Sequence, residues 1–205
     1  MMGTIDSSLQ IRLTLSERGT QLAEFAITLP LLVVFVVGIF DFSGAFTLKQ
    51  KLTNIARDAA RAAAADPATD LTNALPMSVS DAFYVVDNYL LANKIDDCGI
   101  TLPTTNGQVL TWQSTVASSS SSPCGITFTI NRGYYFPLGA PSPRPDWHCS
   151  PLTPTAAVTQ VVSTCVSIQY SYKYRWRFGR VVSLLGNNAF LPDNISAIAV
   201  AVNEN

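Results

Sequence analysis

The chain has 205 residues, 48% hydrophobic and 13% charged, with mean hydropathy +0.24 and formal charge −1. So apolar a balance excludes a disordered chain and points to a membrane segment plus one globular domain. With no dense basic cluster to track a phosphate backbone, no nucleic-acid partner is expected.

The first element in chain order is an apolar run. From Phe25 to Phe40 there is no charged residue, and the run continues past Asp41 to Leu48. A spanning helix needs roughly 20 mostly apolar residues. Leu29, Leu31, Leu32, Val33, Val34, Val36 and Val37 leave no polar face of the kind a soluble core helix shows. Glu24 and Asp41 bracket the run, and seventeen helical residues separate them by about 25 Å. Both carboxylates then fall near the edges of a hydrocarbon layer about 30 Å thick, which makes Asp41 an interfacial residue. Pro30 predicts a kink, because it removes a backbone hydrogen bond and crowds residue 26. Basic residues flank the run as Arg12 and Arg18 before it and Lys49, Lys51, Arg57 and Arg61 after it. A positive-inside count alone places the amino-terminal side outside. The cysteines, considered below, argue for the opposite orientation.

The helix is expected to extend beyond the membrane, from about residue 22 to 65. "KQKLTNIARDAARAAAA" is alanine-rich, lacks Gly and Pro, and ends at Asp66-Pro67. Leu52, Ile55, Ala56, Ala59, Ala60 and Ala63 share one narrow face. Such small residues permit close packing, either on the chain's own domain or on neighbouring helices.

Met77 to Lys94 reads as a second helix, with Ser78 and Ser80 as cap candidates and an apolar stripe of Val79, Ala82, Phe83, Val86 and Leu90. Strand and turn signals follow: Asn106-Gly107, the serine run before Pro123, "GITFTI", and a turn at Asn131-Arg132-Gly133. Residues 137 to 154 hold six prolines and read as irregular. Val166 to Trp176 alternate as a half-buried strand, with Val166, Ile168, Tyr170, Tyr172, Tyr174 and Trp176 on one face. The aromatic row is read as sheet core more readily than as a binding face. "FGRVVSLLG" suggests a short helix, and 195 to 202 a final strand. The expected class is α+β: a long N-terminal hydrophobic helix, then a small antiparallel sheet domain with additional short helices.

Cys98, Cys124, Cys149 and Cys165 all follow the apolar run. An even count on one side of a membrane segment fits an oxidising compartment and two disulfides. Four cysteines allow three pairings; neighbouring partners close the shortest loops and are favoured on that ground. The single histidine, His148, sits beside Cys149, and a Cys–His nucleophile pair is weighed against a disulfide beside a surface histidine. No Cys-x-x-Cys, Gly-x-Ser-x-Gly or phosphate-binding glycine loop occurs. The expectation is no enzyme, no catalytic residue, no metal and no cofactor.

Gly19, four intervening residues, Glu24-Phe25 and an apolar helix resemble the class III signal of type IV prepilins in its Tad/Flp variant. "AEFAITLPLLVVFVVGIFDFSGAF" followed by "LTNIARDAAR" resembles the TadE-like family of pilin-like proteins over residues 18 to 65. The resemblance implies a leader, residues 1–19, removed by a prepilin peptidase between Gly19 and Thr20. It implies a transmembrane helix and amphipathic stem at 20–65 and an exported α+β domain at 66–205. Glu24, Pro30 and Asp41 become assembly residues, and Asn54, Arg57 and Arg61 match the stem pattern. The implied function is that of a minor pilin or pseudopilin in the bacterial inner membrane, with its C-terminal domain periplasmic or on a pilus. Its partners are then membrane lipid, other Tad/Flp pilins and the inner-membrane assembly platform.

Glu24 has a physical rationale in this reading. A carboxylate at the hydrocarbon edge costs up to ~3 kcal/mol. Cleavage after Gly19 creates an α-ammonium group of intrinsic pKa about 8 to meet it. Two other classes compete. One is a periplasmic binding domain, anchored or released by ordinary signal peptidase at Ser43-Gly44-Ala45. The other is an anchored hydrolase using His148.

Overall fold

The computed structural model describes residues 7–106, 109–119, 121–137, 148–150, 160–172, 175–176 and 192–204. The chain divides into two compact units, one whose described part is residues 7–43 and one spanning 44–176 and 190–205. Helix α1 (Ser7–Ala65) is followed by a short 3-10 turn (Ala68–Asp70) and helix α2 (Met77–Ala92). Strands β1 (Thr104–Thr105), β2 (Thr111–Val116), β3 (Ile126–Pro137), β4 (Gln160–Ser171) and β5 (Asn194–Val202) complete the order. They form one antiparallel sheet in which each strand pairs with the next along the chain. The class is α+β, as expected.

α1 starts at Ser7, well before the expected residue 22, because Leu9, Gln10, Arg12, Leu13, Glu17 and Arg18 favour helix and nothing but Gly19 opposes it. It ends at Ala65, one residue before Asp66-Pro67.

In the larger unit the sheet turns one face to the helices. Period-two alternation sets Ile126, Phe128 and Ile130 of β3, Val166, Ile168 and Tyr170 of β4, and Ile195, Ala197 and Ala199 of β5 on that face, all buried. Against them lie Leu52, Ile55, Ala56, Ala59, Ala60 and Ala63 of α1, every one buried. The small-residue face of the stem therefore packs on the chain's own domain, which the sequence left open. The α2 stripe of Val79, Ala82, Phe83, Val86 and Leu90 enters the same core, with Phe83 edge-on to Phe128 at 6.2 Å. A second, smaller cluster joins Tyr134, Cys149 and Cys165 with Ile198 and Val200.

Four expectations are corrected. Asn131-Arg132-Gly133 is not a turn: β3 runs through it with a bulge between Asn131 and Tyr134. Asn131 Oδ1 accepts the Gly133 N–H at 2.9 Å, and a Cβ at 133 would meet Leu110 Cδ1 at 2.6 Å, so the Leu110 side chain would have to shift to admit one. The strand expected over Val166–Trp176 spans Gln160–Ser171, after which Arg175 N–H closes a turn on Tyr172 O. Tyr172 and Trp176 still reach the core, edge-to-face at 4.9 Å, and the supposedly open face also buries Ser167 and Ser171. The aromatic row is thus core where described; Tyr174 lies outside the described residues. Neither Ser78 nor Ser80 caps α2: Asp70 Oδ2 accepts the Met77 N–H at 2.6 Å, from outside the helix. The second helix ends at Ala92, and Lys94 adopts a left-handed φ of 55°. The expected helix in 178–186, Gly107 of the Asn-Gly pair, and most of the proline-rich stretch lie outside the described residues.

Candidate functional site

Residues 19–65 form a helix long and apolar enough to cross a membrane, and only 6% of its most apolar window is buried. A core helix of a soluble domain would be covered; this one presents Leu22, Phe25, Ile27, Leu31, Leu32, Phe35, Ile39 and Phe40 outward. An apolar groove on the same segment is lined, among the described residues, by Leu31, Val34, Phe35, Gly38, Ile39 and Phe42. Water is a poor solvent for such a surface, which suits the helix to a membrane anchor.

The sequence-predicted residues fall on this helix with distinct surroundings. Gly19 and Thr20 lie inside α1 and are exposed, and a Cβ at Gly19 would touch nothing within 4 Å. Glu24 is exposed one turn further on. Pro30 lies within the helix. Asp41, by contrast, is buried at 7% exposure, with Gly38 buried a turn earlier. The two carboxylates that bracket the run are therefore not equivalent. Glu24 is open to a partner, and Asp41 already lies within the protein.

Sequence reasoning missed the device that ties the end of α1 to the domain. Arg132, carried inward by the β3 bulge, is 1% exposed. Its Nη1 donates to Ala63 O and to Thr164 Oγ1 (3.0 Å), and its Nη2 donates to Asp66 O at 2.9 Å. A guanidinium on the last carbonyls of a helix satisfies orphan acceptors and opposes the negative end of the dipole. Burial lowers the Arg132 pKa, while Asp66 and Asp70 raise it. Asp66 is pushed upward, first by desolvation and then by Asp81, against the pull of Arg132. The C-terminal tail closes the arrangement. Glu204 N–H donates to Ala64 O (3.3 Å), Thr164 Oγ1 donates to Asn203 Oδ1 (2.6 Å), and Asn203 Nδ2 donates to Arg132 O (3.2 Å). A basic residue between strand residues and a glycine was the only sequence signal available.

The cysteines pair as Cys98–Cys124 and Cys149–Cys165, with Cα separations of 5.4 and 5.6 Å. These are the neighbouring pairings favoured from loop length. His148 is exposed, and its neighbour Cys149 is in a disulfide, so no thiolate is there to attack. Asp96 clusters with Cys98 and Cys124 within 4.8 Å, but both sulfurs are bonded to each other and hold no thiolate for a metal.

With this geometry in place, one comparison with known families bears on the helix. Residues 19–61 match the TadE-like protein family. The match starts at Gly19 and covers the exposed apolar segment and most of the buried stem face, agreeing with the resemblance read from the sequence. No curated protein and no solved structure matches the chain. The TadE-like match ends at residue 61, before the sheet.

Proposed function

We propose that the chain is a minor pilin or pseudopilin of a Tad/Flp-type pilus, a structural subunit and not an enzyme. In this reading, residues 1–19 are a leader cut by prepilin peptidase between Gly19 and Thr20. Residues 20–65 anchor the chain in the bacterial inner membrane and form the stem; residues 66–205 are the exported domain, periplasmic or on the pilus. Its partners are the peptidase, lipid, other Tad/Flp pilins and the assembly platform. The carrying observation is an exposed apolar helix within the TadE-like segment, with Glu24 exposed near its start.

After cleavage Glu24 falls in the first turn of the mature helix, where the dipole favours an anion. There it meets the new α-ammonium group of its own chain or a neighbour. Glu24→Gln keeps size and removes the charge, so insertion and processing should persist. Where the partner is a neighbour's terminus, loss of the pair in a dry site costs on the order of 3 kcal/mol, felt only within an assembly. The test is cross-linking or co-purification with partner pilins, comparing wild type, Glu24→Gln and Asp41→Asn. Reduced association of Glu24→Gln is expected. Association equal to wild type defeats the charge-pairing reading, and a larger defect in Asp41→Asn gives the role to Asp41 instead of Glu24.

A further inference from the structure

The last strand leaves part of the sheet edge open. Tyr172 N–H donates to Asp193 O at 2.8 Å and Asn203 N–H to Val162 O at 3.4 Å, both in the register that pairs Cys165 with Val200. Bonded and non-bonded pairs alternate along an antiparallel ladder. The odd-numbered residues of β5 therefore turn N–H and C=O toward β4, and the even-numbered ones turn theirs away. Helix α1 ties up the outward groups at both ends: Lys49 Nζ donates to Ser196 O, and Glu204 N–H donates to Ala64 O. Between these ties, among the described residues, nothing bonds the outward groups of Ile198, Val200 and Val202. Sheet edges are ordinarily guarded by proline, charge, bulges or cover. Asn194–Val202 contains neither proline nor charge, and Lys49 guards one end only.

We propose that this edge pairs with itself: β5 of a second copy adds antiparallel across a two-fold axis at Val200. The open window fits only this arrangement well. Centred on Val200, it sets Ile198 opposite Val202 and Val200 opposite its own copy, satisfying every free group in the window. The next pair outward is Ser196 with Glu204, whose Ser196 O and Glu204 N–H are already bonded within each chain. Outward side chains agree with this. Ile198 and Val200 pack beside Tyr134, Cys149 and Cys165, so two copies would merge their small clusters and cover Val202, now 54% exposed. Such a contact is isologous and meets no like charge on the strand. Three residues a side fall far below the area of a stable soluble dimer. The pairing is weak between free molecules and strengthens when copies are held at high effective concentration. It stands whether or not the pilus assignment holds.

The test uses the full chain in membranes, carrying Val200→Cys, Ile198→Cys or Val202→Cys, under mild oxidation. The two-fold brings the Cα atoms of the two residues 200 to about 5.5 Å, within disulfide reach. It keeps residue 198 from its own copy, and 202 from its own copy, by about 14 Å. Val200→Cys should dimerise by itself, the other two should not, and an equal mixture of Ile198→Cys with Val202→Cys should. Adding Val202→Pro to Val200→Cys removes an outward N–H without touching the β4 ladder. It should lower the cross-linked fraction by roughly tenfold through two lost edge bonds. Equal cross-linking at all three positions, or none at Val200, overturns the proposal. Should Val200→Cys lose its native disulfides, the mixture decides alone: a dimer supports the two-fold, and its absence overturns it.

Discussion

Gly19 sits in a helix that must open locally if a peptidase is to reach the following bond, and the residue there sets how easily it opens. Glycine is about 1 kcal/mol worse than alanine inside a helix, and its bare backbone leaves space around the scissile peptide. Gly19→Leu stiffens the turn and fills that space, so leader removal should stop. Mass spectrometry of the membrane form checks this, and a mature mass unchanged apart from the leader's loss would contradict it. Arg132 is the second decisive residue. Three carbonyl and hydroxyl partners lie in its fixed fork, a geometry lysine does not reproduce. Arg132→Lys should destabilise the domain by about 3 kcal/mol, since charged hydrogen bonds are lost and buried acceptors remain. A denaturant midpoint within error of wild type would show that the fork contributes nothing.

At the scale of elements, the sequence made most legible what repeats with a period. The α1 stem face, the α2 stripe and the extent of β5 followed from spacing because burial enforces the spacing. What depends on one polar contact was not legible. Asp70, seven residues from the helix it caps, has no local pattern, and the serines nearer by were the natural candidates. The bulge in β3 looked like a turn because Asn and Gly mark both, and only the pairing of Tyr134 with Ser163 distinguishes them. Of the candidate site, the exposed apolar run was readable from the sequence, while the roles of Gly19 and Glu24 belong to the proposal. The burial of Asp41 was not, because it depends on tertiary surroundings. The acidic groups around these joints also set a pH dependence. Burial raises Asp66 and Asp87 above the ordinary aspartate value of 3.8, aided by Asp81 and Asp97 respectively. A carboxyl raised in the folded state binds its proton more tightly there. Its contribution to stability is thus fully present below about 3.8 and is lost as pH rises through the folded value. Asp66→Asn with Asp87→Asn should flatten that decline, seen as a smaller fall in melting temperature between mildly acidic and neutral pH. An unchanged slope would mean other groups dominate.

For the whole molecule, two disulfides in the larger unit and a helix apolar and long enough to cross a membrane support the proposal that the cysteines lie in an oxidising space and the helix in lipid. Thiol labelling of the denatured, unreduced protein should find no free cysteine; four labelled thiols would place the domain in the cytoplasm and reverse the topology. The central claim is that the apolar helix is a pilin-type anchor exposed by cutting at Gly19, and not an ordinary signal. Ser43-Gly44-Ala45, the alternative cut, lies inside α1, next to residues such as Leu48 that belong to the core. The direct measurement is the N-terminal residue of the protein recovered from cells that possess a prepilin peptidase. Thr20 is the expected residue, with the apolar helix retained. Phe46 at the terminus would contradict it, showing that signal peptidase had removed the helix and released the domain.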